Sequence, residues 1–145
     1  MRKKESKFKQ FLKKDEEKDR SGFIAAIIIN VIIWFIVNNL VNWNLSFISP
    51  TFVEVLGVLN LLIISTIIIN FIFLFYQPTW FRNMLQIITD ILSIIVMYTF
   101  LKVFPFILSD FLAVVVTVLI VLGILGSFIG LIIHILKFVF GFSSD

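Results

Sequence analysis

Four apolar runs, at residues 23–41, 52–75, 82–104 and 110–140, leave this chain few ways to fold. The shortest has nineteen residues. At about 1.5 Å of rise per residue, a helix of that length crosses roughly 30 Å of hydrocarbon. A soluble domain of 145 residues cannot enclose so much Ile, Leu, Val and Phe. A bilayer accepts an apolar surface on every side of a helix. The expected fold is therefore all-α and integral to a membrane, an antiparallel four-helix transmembrane bundle. The turns are too short to cross a bundle, so neighbours in sequence become neighbours in space. Residues 1–22 form a basic tail before the spans, 23–141 the transmembrane domain, and 142–145 a short tail after it.

Composition says the same. The chain is 60% hydrophobic and 14% charged, against about 45–50% and about 25% in ordinary soluble domains. Nine of the twelve Lys and Arg residues and five of the nine acids lie in the first twenty positions. This basic excess sets the amino terminus on the cytoplasmic side. Four crossings return the carboxyl terminus there, giving a multi-pass protein of the cell membrane. The tail reads either as a solvated segment or as a short helix on anionic lipids, where each nearby cation contributes about 1 kcal/mol. The cations cluster beside a span, with no exposed aromatics between them in a soluble domain, which argues against nucleic acid. The run at 23–41 is too long for a signal peptide, and no A-x-A site follows it. With no cysteine, disulfides, thiolate metal sites and cysteine nucleophiles are excluded. Rich use of Ile, Asn, Phe and Lys suggests an AT-rich prokaryotic source.

The third run carries the best-organised polar feature. Asn83, Gln86, Asp90, Ser93 and Met97 alternate spacings of three and four, which places them on one helix stripe. Asp90 is the only formal negative charge deep within any run. An intramembrane ionisable residue is by default a functional-site hypothesis. It should face inward about two turns from the cytoplasmic end, roughly 10–12 Å deep. The antiparallel fourth run offers His134 or Lys137 as partner, and Arg82 lies in the same inner half. Asp90 with His134 would make a titratable pair suited to proton coupling. A structural pair that only fixes register is the competing reading.

The fourth run holds Gly123, Gly126, Gly130, His134 and Lys137 on one stripe, including a G-x-x-x-G at Gly126 and Gly130. Such spacing lets two helix backbones approach closely. Three caps are expected: Thr51 with Glu54 as a capping box, Thr79 and Ser109. Trp43, Tyr76 and Trp80 suit the membrane interface. Glu54 and Lys102 are near enough to pair at the outer edge.

Tyr76, Pro78, Trp80, Phe81 and Arg82, with Phe104-Pro105-Phe106 beyond the third run, form a YxPxWFR…FPF arrangement. It resembles a group of small uncharacterised prokaryotic four-span membrane proteins, over roughly the second to fourth spans. The resemblance implies the architecture above. It brings no activity, so no catalytic residue transfers.

Two functions follow as expectations. The first is a non-enzymatic membrane protein acting through assembly, as a subunit, accessory or immunity-type factor, with a second copy or another membrane protein as partner. The second is a small oligomeric transporter or channel using Asp90 with His134. An enzyme is not expected. One His, no H-E-x-x-H or G-x-S-x-G and no clustered carboxylates leave no catalytic, metal or cofactor site to name.

Overall fold

The computed structural model describes residues 20–141, which form four long helices. These are α1 (Arg20–Asn39), α2 (Phe52–Phe73), α3 (Thr79–Val103) and α4 (Asp110–Gly141). Each is long and apolar enough to cross a membrane, which marks a multi-pass membrane protein by length and composition. The first nineteen residues of the basic tail and positions 142–145 lie outside the described residues, and so does the expected surface helix. Arg20 to Gly22, placed in the tail, belong to α1. Other boundaries move as well. α1 and α2 each end two residues early, at Asn39 and Phe73, α3 runs from Thr79 to Val103 rather than from 82 to 104, and α4 ends at Gly141 rather than 140.

The helices pack in chain order, α1 on α2, α2 on α3, and α3 most extensively on α4. At one end Phe23, Ile69 and Phe73 form a buried cluster against Phe81 and Leu85. Phe23 and Phe73 stand 5.5 Å apart at their ring centroids. At the other end Phe52 meets Phe100 at 6.1 Å, and Phe100 stacks on Phe106 at 5.8 Å. Along the outside the chain stays apolar. Phe35, Phe71 and Val114 are each more than half exposed. Burial within one copy therefore accounts for only part of the apolar surface.

Many polar residues inside the helices are satisfied locally. Asn30, Asn39 and Asn70 each donate to the carbonyl four residues back. Thr66, Thr89, Ser93, Thr99 and Thr117 do the same through their hydroxyls. An unsatisfied polar group costs several kcal/mol in hydrocarbon, roughly, so this back-bonding lets the side chains sit in apolar helices.

Caps differ from those expected. Thr51 already has helical angles (φ −64°, ψ −10°) and makes no side-chain cap. Its hydroxyl donates to Ser49 Oγ at 2.9 Å, and that oxygen also accepts from the Thr51 amide. A capping residue needs extended backbone. Turn bonds from Phe52 to Ser49 and Val53 to Pro50 wind the chain before that point, so the capping box does not form. At α3 the cap position is Pro78, extended at ψ 140°, and Thr79 is the first helical residue. Ser109 does precede α4, where its carbonyl accepts from the Ala113 amide at 2.8 Å.

Between the helices, the loops at 40–51 and 104–109 are joined. Ile48 and Phe106 form an antiparallel bridge, with Ile107 N–H donating to Phe47 at 2.9 Å and Ser49 N–H to Pro105 at 3.0 Å. Phe104 takes the left-handed conformation (φ 41°) to turn the chain out of α3. A bulky residue there costs roughly 1–2 kcal/mol. Buried Pro105 follows at once, and cannot continue the helix.

Candidate functional site

Asp90 and His134 meet across α3 and α4. Asp90 Oδ2 lies 2.6 Å from His134 Nδ1, an ion-pair and hydrogen-bond distance. Both side chains are largely covered, at 16% and 24% exposure. Of the two cationic candidates on α4, His134 makes the contact.

Gly130 lies across from it. A Cβ there would be 3.4 Å from Asp90 Oδ1, an ordinary contact distance, so the carboxylate packs against this face of α4. Two turns away, a Cβ at Gly123 would lie 3.5 Å from Met97 Sδ. Asp90 and Met97 are seven residues apart, as are Gly130 and Gly123, so two side chains of α3 fill two gaps on α4. Gly126 behaves differently. It is exposed, and a Cβ there meets nothing within 4 Å. At about 100° per residue it sits roughly 60° around the helix from Gly123, at the edge of the stripe. The G-x-x-x-G pair is therefore not a close contact inside this chain; Gly123 and Gly130 are.

Depth also shifts. With α3 starting at Thr79, Asp90 is its twelfth residue of 25, about 16 Å along the axis and near the middle. Arg82 is eight residues from Asp90, about 12 Å along the helix, so it does not join the pair. Lys137 is buried one turn beyond His134. Glu54 and Lys102 are both exposed and form no ion pair with each other.

Several features had no strong sequence signal. Asn83, expected only as part of the stripe, is 3% exposed, and its Nδ2 has no hydrogen-bond partner among the described residues. Asn38 and Asn60 exchange amide hydrogen bonds between α1 and α2, at 2.8 and 2.9 Å. An open apolar recess of about 260 Å³ lies beside Met97, Phe100, Phe106 and Ile120.

Chemically, one carboxylate on one imidazole can hold a proton. Among the described residues no three His, Asp or Glu side chains gather as metal ligands would. Comparison with protein-family models, curated proteins and solved structures finds no match for this chain, so the reading of the site rests on its geometry.

Proposed function

We propose that this chain is an antiparallel four-span protein of the cell membrane, with both termini cytoplasmic, that works by association within the bilayer rather than by catalysis. The observation that carries the reading is the apolar exterior left by helices that pack chiefly in chain order. Lipid covers such a surface, and so does a second copy or another membrane protein. The antiparallel arrangement draws support from contacts in which residue numbers rise on one helix as they fall on the next. Phe23 meets Phe73 while Asn38 meets Asn60, and Met97 meets Gly123 while Asp90 meets His134. Orientation follows from the cationic excess before residue 21, which also suits anionic lipids. The resemblance to small prokaryotic four-span proteins belongs to the same proposal.

Reporter fusions after Phe47 and Phe106 test the topology. Both should report the non-cytoplasmic side, and a cytoplasmic signal at either overturns it. Association is tested by co-purification of two differently tagged copies, and of native membrane partners, from mild detergent. Recovery of isolated monomers alone would remove the assembly reading.

A second reading, an oligomeric proton-linked transporter, is favoured by the Asp90–His134 contact near the middle of α3. Proton flux in proteoliposomes that disappears in Asp90→Asn would establish it, and absence of flux in the native chain would dismiss it.

A further inference from the structure

We propose that Asn83 and Lys137, flanked by Arg82, form a binding site for a phosphate group at the end of the α3–α4 seam where α3 begins. The inference rests on the bilayer reading above and is separate from the attraction of the basic tail to anionic lipids.

Register brings the two residues together. Met97 of α3 faces Gly123 of α4, and seven residues away Asp90 faces Gly130. One further step of seven on each helix sets Asn83 level with Lys137. These two are the polar side chains buried among the described residues, at 3% and 9% exposure. Asn83 shares the α4-facing stripe with Asp90 and Met97, which aims its side chain into the seam. Its Nδ2 has no hydrogen-bond partner among the described residues. A buried donor without an acceptor is costly in an apolar interior. Lysine and arginine side chains carry several donors and no acceptor, so Lys137 and Arg82 can each bond an anion while keeping other contacts.

Charge at this end has one sign in excess. Arg20, Arg82 and Lys137 lie here, and Asp90 is the nearest acid among the described residues. Asp90 is seven residues deeper than Asn83, about 10 Å along α3, and faces His134. No acidic side chain occupies the first turn of α3, and Pro78 supplies no side-chain cap, so the positive end of the helix dipole adds to the same field. The site therefore offers donors and positive potential together. A phosphate has oxygens enough to accept from Asn83 and Lys137 at once and to leave another for Arg82.

Depth suits the same ligand. Asn83 is the fifth residue of α3, about 6 Å from its start. Trp80 and Tyr76, residues of the kind that settle among headgroups, stand just outside it. One turn beyond Lys137, a Cβ at Gly141 would meet nothing within 4 Å among the described residues, so the seam widens toward that end. The long, flexible stem of Lys137 lets its ammonium group follow an entering anion.

The full chain, purified in a neutral detergent, is titrated with phosphatidylglycerol and separately with inorganic phosphate, chloride holding the ionic strength. Native mass spectrometry counts bound lipid, and thermal unfolding reads stabilisation by either anion. The native chain should show one saturable site above the background of its tail. Asn83→Leu and Lys137→Gln should each weaken it by about tenfold, the loss of one hydrogen bond to a charged group. Lys137→Arg should keep most of the affinity. Asn83→Asp sets a carboxylate where the phosphate would sit, and should abolish binding in a chain that still folds. Stabilisation by phosphatidylglycerol alone assigns a lipid headgroup, and equal stabilisation by inorganic phosphate assigns a soluble one. Affinity unchanged in Asn83→Leu, Asn83→Asp and Lys137→Gln overturns the site, and so does equal stabilisation by chloride. Flotation with liposomes after an alkaline wash separates the failures. A native chain that does not float sinks the bilayer placement, whereas one that floats but binds phosphate identically in every variant sinks the site alone.

Discussion

The side-chain amides of Asn38 and Asn60 each donate to the other's oxygen, so α1 and α2 are joined by two parallel hydrogen bonds. Asn38 also donates to the Trp34 carbonyl at 2.7 Å. In an apolar environment such a pair fixes both the register and the rotation of two helices. Hydrogen bonds between membrane helices contribute modestly, about 0.6 kcal/mol on average and up to about 2.

Asn38→Leu should therefore cost about 1–2 kcal/mol, because it leaves the Asn60 amide without its partner. The double variant with Asn60→Leu should be less damaging than the sum of the two singles. Reversible unfolding in mixed micelles measures the cycle. Additivity within about 0.3 kcal/mol would show that the amides act independently.

The three stripe glycines should separate sharply. Gly130→Leu and Gly123→Leu drive a side chain into Asp90 and Met97 respectively, at an overpacking cost of about 1–3 kcal/mol. Gly130→Ala meets Asp90 Oδ1 at an ordinary contact distance and should be nearly neutral. Gly126→Leu points into open space and should leave monomer stability unchanged. Thermal unfolding and elution volume in detergent read both effects. If Gly126→Leu alters only the oligomer, that edge of α4 is where copies meet.

Asp90→Asn keeps the shape and most of the hydrogen bonding beside Gly130, and should insert and fold. Asp90→Leu removes the acceptor for His134 Nδ1 and should lose about 1–3 kcal/mol. Expression level and resistance to denaturant distinguish them. Equal stability in the two variants would mean that the imidazole finds another partner at no cost.

Phe100 touches both Phe52 and Phe106, so Phe100→Ala should cost about 1–3 kcal/mol, from two ring contacts at roughly 0.5–1.5 each. Phe71→Ala is the control, since Phe71 is 57% exposed and its ring contact is with Phe75 on the same side of the chain. A melting curve in which both substitutions have the same effect would deny the Phe52–Phe100–Phe106 cluster a special role.

Residue pattern made the helices legible, because apolar runs of this length leave one regular structure. Asp90 was legible for a related reason: one charge on a stripe of polar positions has few directions in which to face. Its partner could be narrowed only to His134 or Lys137, since residues three apart share a helix face and side-chain reach separates them. The capping box failed because Ser49, two positions upstream, competes for the Thr51 hydroxyl and amide. Gly126 stands apart from Gly123 and Gly130 within the chain, because spacing alone does not separate the centre of a stripe from its edge. The Asn38–Asn60 pair, the inter-loop bridge and the buried Asn83 amide depend on which residues of distant segments meet. No local pattern encodes that.

The bridge between Ile48 and Phe106 has a consequence in time. Its two residues are 58 positions apart, and α2 and α3 both lie between them. During synthesis the first strand of that bridge must wait until two further helices have been laid down and the chain has emerged past Pro105. Until then the Phe47 carbonyl and the Ser49 amide depend on water or lipid headgroups for company. Closure of the bridge is a late event in biogenesis, and a chain stalled or truncated before residue 106 would leave the Phe47 carbonyl and the Ser49 amide without the partners they have in the finished fold.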